Sequence, residues 1–202
     1  MVRIGVSVEG LTEEQFVVKC LAPYFLQKEL FLEPISLNGN VSVDRVKHEI
    51  NKLLFSYDYV TTLYDFYGFA RKKEGETKAS LEERLLSSLH ENRRSKFIPY
   101  IQMYEFEGLL FSSPEIIATI LQQDDLEPWA NNILRRAGGN PEEINNSPQT
   151  APKKRFEAKY ARYRETTHSP KIACEIGIDT LREKCTGFNQ WLLKLEKITN
   201  NS

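Results

Sequence analysis

Arg3-Ile4-Gly5-Val6-Ser7-Val8-Glu9-Gly10-Leu11-Thr12-Glu13 decides the fold class of this chain. Ile4, Val6 and Val8 read as a buried strand that stops at Glu9, and the residues after Gly10 open a helix. A strand that feeds a helix in this way starts a parallel α/β sheet, and in such sheets ligands bind beyond the carboxyl ends of the strands. The pattern predicts Thr12 as the helix cap with Gln15 reaching back to it. Phe16, Val17, Cys20, Leu21, Tyr24 and Phe25 then form an apolar face, with Pro23 kinking or ending the helix.

Later segments repeat the strand-to-acid theme. Val60-Thr61-Thr62-Leu63-Tyr64 is rich in β-branched and aromatic residues and runs into Asp65, with Gly68 closing it. Phe97 to Tyr104 reads as one strand and is followed by Glu105 and Glu107. A short strand is expected near Ile35–Leu37, before the Asn38-Gly39-Asn40 turn. Ser42 is placed to cap a helix with Val43, Val46, Ile50 and Leu53 on its buried stripe, and Leu81, Leu85 and Leu89 mark another. Arg71 to Lys78 is polar enough for an exposed loop. Alternating strands and helices favour a mostly parallel sheet with helical crossovers.

After Glu107 the pattern becomes helical. Pro114 suits a first helical position, Gly138-Gly139 a stop, and Asn145-Asn146-Ser147-Pro148 a turn-rich connector. Pro152 opens a basic helix through Lys153, Lys154, Arg155 and Lys159, on which Phe156, Tyr160 and Tyr163 have packing spacing. Phe188, Trp191, Leu192 and Leu195 stripe the last helix. The expected division is an α/β part over 1–112 and a helical extension over 113–202 packed on it, or one continuous domain.

The 202 residues suffice for a proper core, and the net charge of −1 leaves any nucleic-acid contact to a local basic patch. No apolar run approaches the ~18 residues that would cross a bilayer, and no signal peptide is evident. Cys20, Cys174 and Cys185 are odd in number and lack metal-ligand spacing. They read as reduced, buried small side chains in a cytoplasmic protein. His48, His90 and His168 also lack ligand spacing and receive no role.

Acids at three strand ends point to a divalent-metal site, because hard cations such as Mg2+ take carboxylate oxygens, waters and substrate phosphates. Glu9 lies at a strand tip, with Glu13 about one helical turn on. Asp65 and one of Glu105 and Glu107 complete one or two sites, Glu107 being preferred. Simpler roles compete: Glu13 and Glu14 suit a helix N-terminus without any chemistry, and Asp65 suits a turn. Glu9 is hardest to explain structurally, since an unpaired acid in a central strand is costly. Lys153-Lys154-Arg155 at a helix start suits phosphate, or simply a solvated face.

Val8-Glu9-Gly10-Leu11-Thr12-Glu13 resembles the glutamate motif of TOPRIM domains, found in topoisomerases, primases and OLD-type nucleases. Taken with Tyr64-Asp65-Phe66-Tyr67-Gly68, Tyr104-Glu105-Phe106-Glu107-Gly108-Leu109-Leu110-Phe111 and the tail from Pro152 to Trp191, it resembles the TOPRIM-like bacterial domain-of-unknown-function family 4276 over nearly the whole chain. The resemblance implies a Rossmann-like sheet with acids at its carboxyl edge, binding Mg2+ or Mn2+ and acting on phosphodiesters. It casts Glu9 as general acid/base or metal ligand, Glu13 as a ligand, and Lys154 or Lys171 as the downstream lysine of OLD-type nucleases. Their Asp-x-Asp is here Asp65-Phe66-Tyr67, so one carboxylate is missing unless Glu105 or Glu107 replaces it.

The expected function is a metal-dependent DNA or RNA nuclease, in phage defence or a mobile element. Glu9, Glu13, Asp65, Glu105 and Glu107 hold metal, and Lys154, Arg155 and Lys171 contact phosphate. The chain has no P-loop, so an associated ATPase would be a separate polypeptide. The alternatives are a non-catalytic partner or sensor of such an ATPase, and a small-molecule phosphotransferase or hydrolase.

Overall fold

The computed structural model describes residues 1–145 and 147–199; Asn146 of the expected connector lies outside the described residues. The N-terminal half runs β1 (Val2–Val8), α1 (Leu11–Phe16), a π-helical turn (Val17–Leu21), α2 (Ala22–Leu26), β2 (Leu30–Ser36), α3 (Val43–Leu53) and β3 (Tyr59–Asp65). It continues through α4 (Lys78–Ser87), α5 (Glu91–Arg94), β4 (Phe97–Ile98), β5 (Ile101–Gln102) and a 3-10 segment (Phe106–Ser112). Among the described residues six α-helices follow: α6 (Pro114–Leu121), α7 (Leu126–Arg136), α8 (Pro152–Lys159), α9 (Glu165–Ile176), α10 (Ile178–Lys184) and α11 (Thr186–Glu196).

The five strands form a parallel, Rossmann-like sheet in the order β2-β1-β3-β4, with β5 also against β3. β1 and β3 are therefore central. Val8 lies beside Leu63, so the two strands end side by side and deliver Glu9 and Asp65 to one edge. β2 is longer than expected and contains Pro34, which an edge strand tolerates because its free side needs no donor.

The strand expected from Phe97 to Tyr104 is broken in two. Pro99 has no N–H to give a ladder, and side chains of β3 bridge the gap. Thr62 Oγ1 accepts the Tyr100 N–H at 2.8 Å, and the Thr61 hydroxyl donates to the Ile98 carbonyl at 2.6 Å. Trp191 on α11 covers the break, stacked on Tyr100 at 4.4 Å with its indole N–H donated to Thr61 Oγ1 at 2.8 Å. Glu142 fixes the start of α11 by accepting the backbone N–H groups of Gly187 and Phe188.

Helices cover both faces. Val46, Ile50 and Leu53 of α3, capped by Ser42 as expected, join Leu81, Leu85 and Leu89 against Val60, Tyr64 and Ile101. Ile4, Val6, Val8 and Leu63 face the other way, into a core shared with Phe16, Phe106, Phe111, Phe156, Phe188 and Leu192. Strand and helix residues from both parts of the chain thus enter one apolar cluster.

Two local expectations are corrected. Gly10, not Thr12, is the residue before the first helix, and Glu13 rather than Gln15 reaches back, its Oε2 accepting the Gly10 N–H at 3.0 Å. Cys20 and Cys174, expected reduced, form a disulfide across 154 positions of sequence, tying the π-helical turn to α9. The ground for a reducing setting, three unpaired thiols, is thereby removed; Cys185 is free and buried. Among the described residues no helix is long and apolar enough to cross a membrane.

Candidate functional site

A cleft of about 350 Å³ opens at the carboxyl edge of β1 and β3. Its walls carry Glu9, Glu13, Asp65, Glu105 and Glu165 and, among the described residues, one ammonium, that of Lys153. Each acid arrives by a different local device. Glu9 and Asp65 follow the tips of neighbouring strands, while Glu13 is turned inward by the first turn of α1. Glu105 precedes the 3-10 segment, and its Oε2 accepts the Lys153 N–H at 2.9 Å, so the start of α8 holds it by a backbone donor. Glu165 enters from the first turn of α9, which packs against α1, and ion-pairs with Lys153.

Gly68 makes room for Glu9. A Cβ at that position would overlap the Glu9 carboxylate, 2.7 Å from its Cδ. No side chain larger than hydrogen fits there while Glu9 keeps its place.

So many acids in one cleft repel each other, and burial removes the water that would screen them. Two oxygens, Glu9 Oε2 and Asp65 Oδ1, are buried with no hydrogen-bond partner. Burial raises the Glu9 pKa, with Glu165 and Glu105 adding to the effect and Lys153 opposing it. Glu13 is pushed to about 7, chiefly by burial and further by Glu9. Asp65 stands well above the usual carboxylate range, through burial and then the repulsion of Glu13, Glu9 and Glu107.

The sequence ranked Glu107 before Glu105, but it is Glu105 that lines the cleft. Glu107 lies beneath it, 1% exposed, where its Oε1 accepts Ser169 Oγ–H at 2.8 Å and Tyr163 O–H at 3.3 Å. Burial lifts its pKa to about 8, so near neutral pH it holds a proton. The basic residues are likewise redistributed by the phase of α8. Lys154 is exposed and paired with Glu157 at 2.7 Å, Arg155 lines a separate cavity, and Lys171 is exposed on α9. Lys153 and Glu165 were missed as cleft residues. Lys153 stood within the quoted basic run, whereas nothing local marks Glu165.

The residues suit a hard cation in their chemistry. Every anionic donor is a carboxylate oxygen, and two of those oxygens are orphaned. Among the described residues no group of three or more His, Cys, Asp and Glu is drawn together closely enough to hold a metal ion by itself. Mg2+ asks for less than that, since it is commonly held by one or two carboxylates with waters and substrate phosphates. Glu9 and Asp65 are the pair that would hold it, with Glu13 and Glu105 beside them.

The family model described as a domain of unknown function, DUF4276, matches residues 8–196. The chain belongs to this family. The match begins at Val8, immediately before Glu9, and spans every residue of the cleft. No curated protein and no solved structure matches the chain.

Proposed function

We propose that this member of the DUF4276 family is a metal-dependent phosphodiester-cleaving enzyme of TOPRIM-like type, a DNA or RNA nuclease that uses Mg2+ or Mn2+. The observation that carries this reading is the pair of orphaned oxygens, Glu9 Oε2 and Asp65 Oδ1, at adjacent strand tips in an acid-rich cleft. Carboxylates buried together without cationic partners are unstable unless a proton or a cation sits among them. A bound divalent ion would supply charge for the phosphate oxygens and lower the pKa of water.

The protein's own groups have separable parts in this reading. Glu13, with its pKa near 7, can take or return a proton at neutral pH. Lys153 offers a positive charge at the rim, tempered by Glu165. Glu105, fixed by the Lys153 N–H, would add a further carboxylate for the cation. The test is cleavage of DNA and RNA with Mn2+ or Mg2+, abolished by chelator and by Asp65→Ala. Cleavage that survives Asp65→Ala would refute it.

A second reading, a non-catalytic partner or sensor of a separate ATPase, is favoured by one observation. Tyr67 occupies the place of the second acid of Asp-x-Asp, and its ring packs on Tyr104 at 5.2 Å. Divalent-ion binding with no cleavage of any nucleic acid would select it.

A further inference from the structure

Beside the acidic cleft lies a second cavity, of about 360 Å³, whose chemistry is opposite. Arg136 from the end of α7 and Arg155 from α8 line it with Tyr104, Ile144, Asn145 and Thr150. Glu143 is also on its wall, but neither guanidinium forms an ion pair or a hydrogen bond among the described residues. Arg155 Nε is buried with no partner. Two arginines that repel each other, one with a sealed and unpaired donor, mark a place for an anion. Asn145 and Thr150 build the wall by bonding each other at 2.6 Å.

A larger cavity near Asn40 and Arg71 also has a buried arginine Nε without a partner, that of Arg84, but there the guanidinium groups of Arg45 and Arg84 are otherwise engaged. There Arg45 donates to the carbonyls of Leu37, Gly39 and Asn40, and Arg84 pairs with Glu76 at 3.2 Å. Arg45 and Arg84 are thus engaged, whereas neither Arg136 nor Arg155 has a partner among the described residues.

Between the acidic cleft and the arginine cavity stands an aromatic ridge. Tyr67 lines the first, Tyr104 lines the second, and both are half-exposed. Their rings lie 5.2 Å apart at 34°, backed by the buried Phe66, which meets Tyr104 edge-on at 6.1 Å. The Tyr67 N–H donates to the Tyr104 carbonyl at 3.1 Å, which fixes the two strand ends together. Acid cleft, aromatic pair and arginine cavity thus follow one another along the sheet edge. That succession matches phosphate, base and phosphate along one strand of nucleic acid, because unpaired bases stack on aromatic faces while arginine forks take phosphate.

We propose that Arg136 and Arg155 bind a non-scissile phosphate, and Tyr67 and Tyr104 an unpaired base, of a single-stranded nucleic acid whose adjoining phosphodiester enters the acidic cleft. The last clause rests on the function proposed above; the binding of phosphate and base does not. A base held in a duplex cannot reach the tyrosines, so the site selects single strands.

The test is fluorescence anisotropy in EDTA with a labelled thymidine oligonucleotide of about 15 nucleotides. Arg136→Gln/Arg155→Gln should weaken binding at least about tenfold and reduce the slope of log affinity on log salt by about one. Tyr104→Leu should weaken it by about tenfold with the slope unchanged. The exposed Arg136→Gln alone should show part of the loss, which guards against a folding defect in the double variant. A duplex of the same length should bind more weakly and be indifferent to Tyr104→Leu. Wild-type affinity in the double variant, no effect of Tyr104→Leu, or displacement of the oligonucleotide by inorganic phosphate at equal phosphate concentration would overturn the proposal. Absence of cleavage alongside the predicted binding pattern would sink the nuclease reading and leave this one standing.

Discussion

Glu9 and Gly68 compete for one space: a Cβ on Gly68 would stand 2.7 Å from Glu9 Cδ and 2.8 Å from Oε1. Gly68→Ala therefore has to push the Glu9 carboxylate out of the cleft while leaving the strands untouched. Mn2+ affinity should fall by roughly tenfold or more, as for loss of a residue that positions a ligand, with the thermal midpoint little changed. Calorimetric titration beside a melting curve checks both halves of this prediction.

Acids whose pKa is raised in the folded protein bind protons more tightly folded than unfolded. Their contribution to stability is complete below the ordinary carboxylate value of 4.5, and is lost as pH rises through about 7 for Glu13 and about 8 for Glu107. The metal-free protein should accordingly lose stability between pH 5 and 8, by an amount on the order of 3 kcal/mol from Glu13 alone. Urea unfolding in EDTA across that range measures it, and added Mn2+ should restore much of the loss at pH 8.

Asp65→Asn removes a carboxyl that the fold holds well above its usual pKa. At pH 8 without metal, the variant should be more stable than the wild type, a gain that disappears near pH 4. The same change should abolish Mn2+ binding and cleavage. A variant that is both more stable and inactive is the expected signature of a strained functional cluster.

Lys153 and Lys154 are neighbours in sequence with different environments. Lys153→Ala should reduce cleavage by about tenfold or more, because among the described residues Lys153 is the cation on the cleft wall. Lys154→Ala breaks only an exposed pair with Glu157 and should change stability by no more than about 0.5 kcal/mol, with activity retained. Parallel kinetic assays of the two variants decide this.

The Cys20–Cys174 bond closes a long loop and ties the π-helical turn after α1 to α9. Reduction, or Cys174→Ser, should cost up to about 5 kcal/mol of unfolding free energy by the loop-entropy estimate. It should also loosen the seat of Glu13 and Glu165, which those helices carry. Unfolding curves with and without reductant give the first quantity.

What the sequence made legible was whatever announces itself over short range. β1 running into Glu9, β3 running into Asp65, the Ser42 cap and the stripes of α3 and α11 are all local patterns, and all stand in the structure. The break at Pro99 was marked by a missing N–H, but its repair by Thr61, Thr62 and Trp191 depends on groups far along the chain. Glu105 and Glu107 are separated because a strand would point both the same way, whereas the 3-10 segment, with three residues per turn, turns Glu107 inward while Glu105 precedes it. Lys153 displaces Lys154 because the phase of α8 is set by packing Phe156 into the core. Glu165 and the disulfide arise purely from how α9 meets the first helix, which no spacing encodes.

The central claim, that the acids at the tips of β1 and β3 gather around a divalent cation, is tested most directly by Mn2+ calorimetry at pH 7 in two buffers of different ionisation enthalpy. The account predicts binding with net proton release, since Glu13 titrates at about 7 and burial and neighbouring acids hold Asp65 well above the ordinary carboxylate range, and no binding to Asp65→Asn. Binding that is unchanged in Asp65→Asn, or no binding to the wild type, would contradict it.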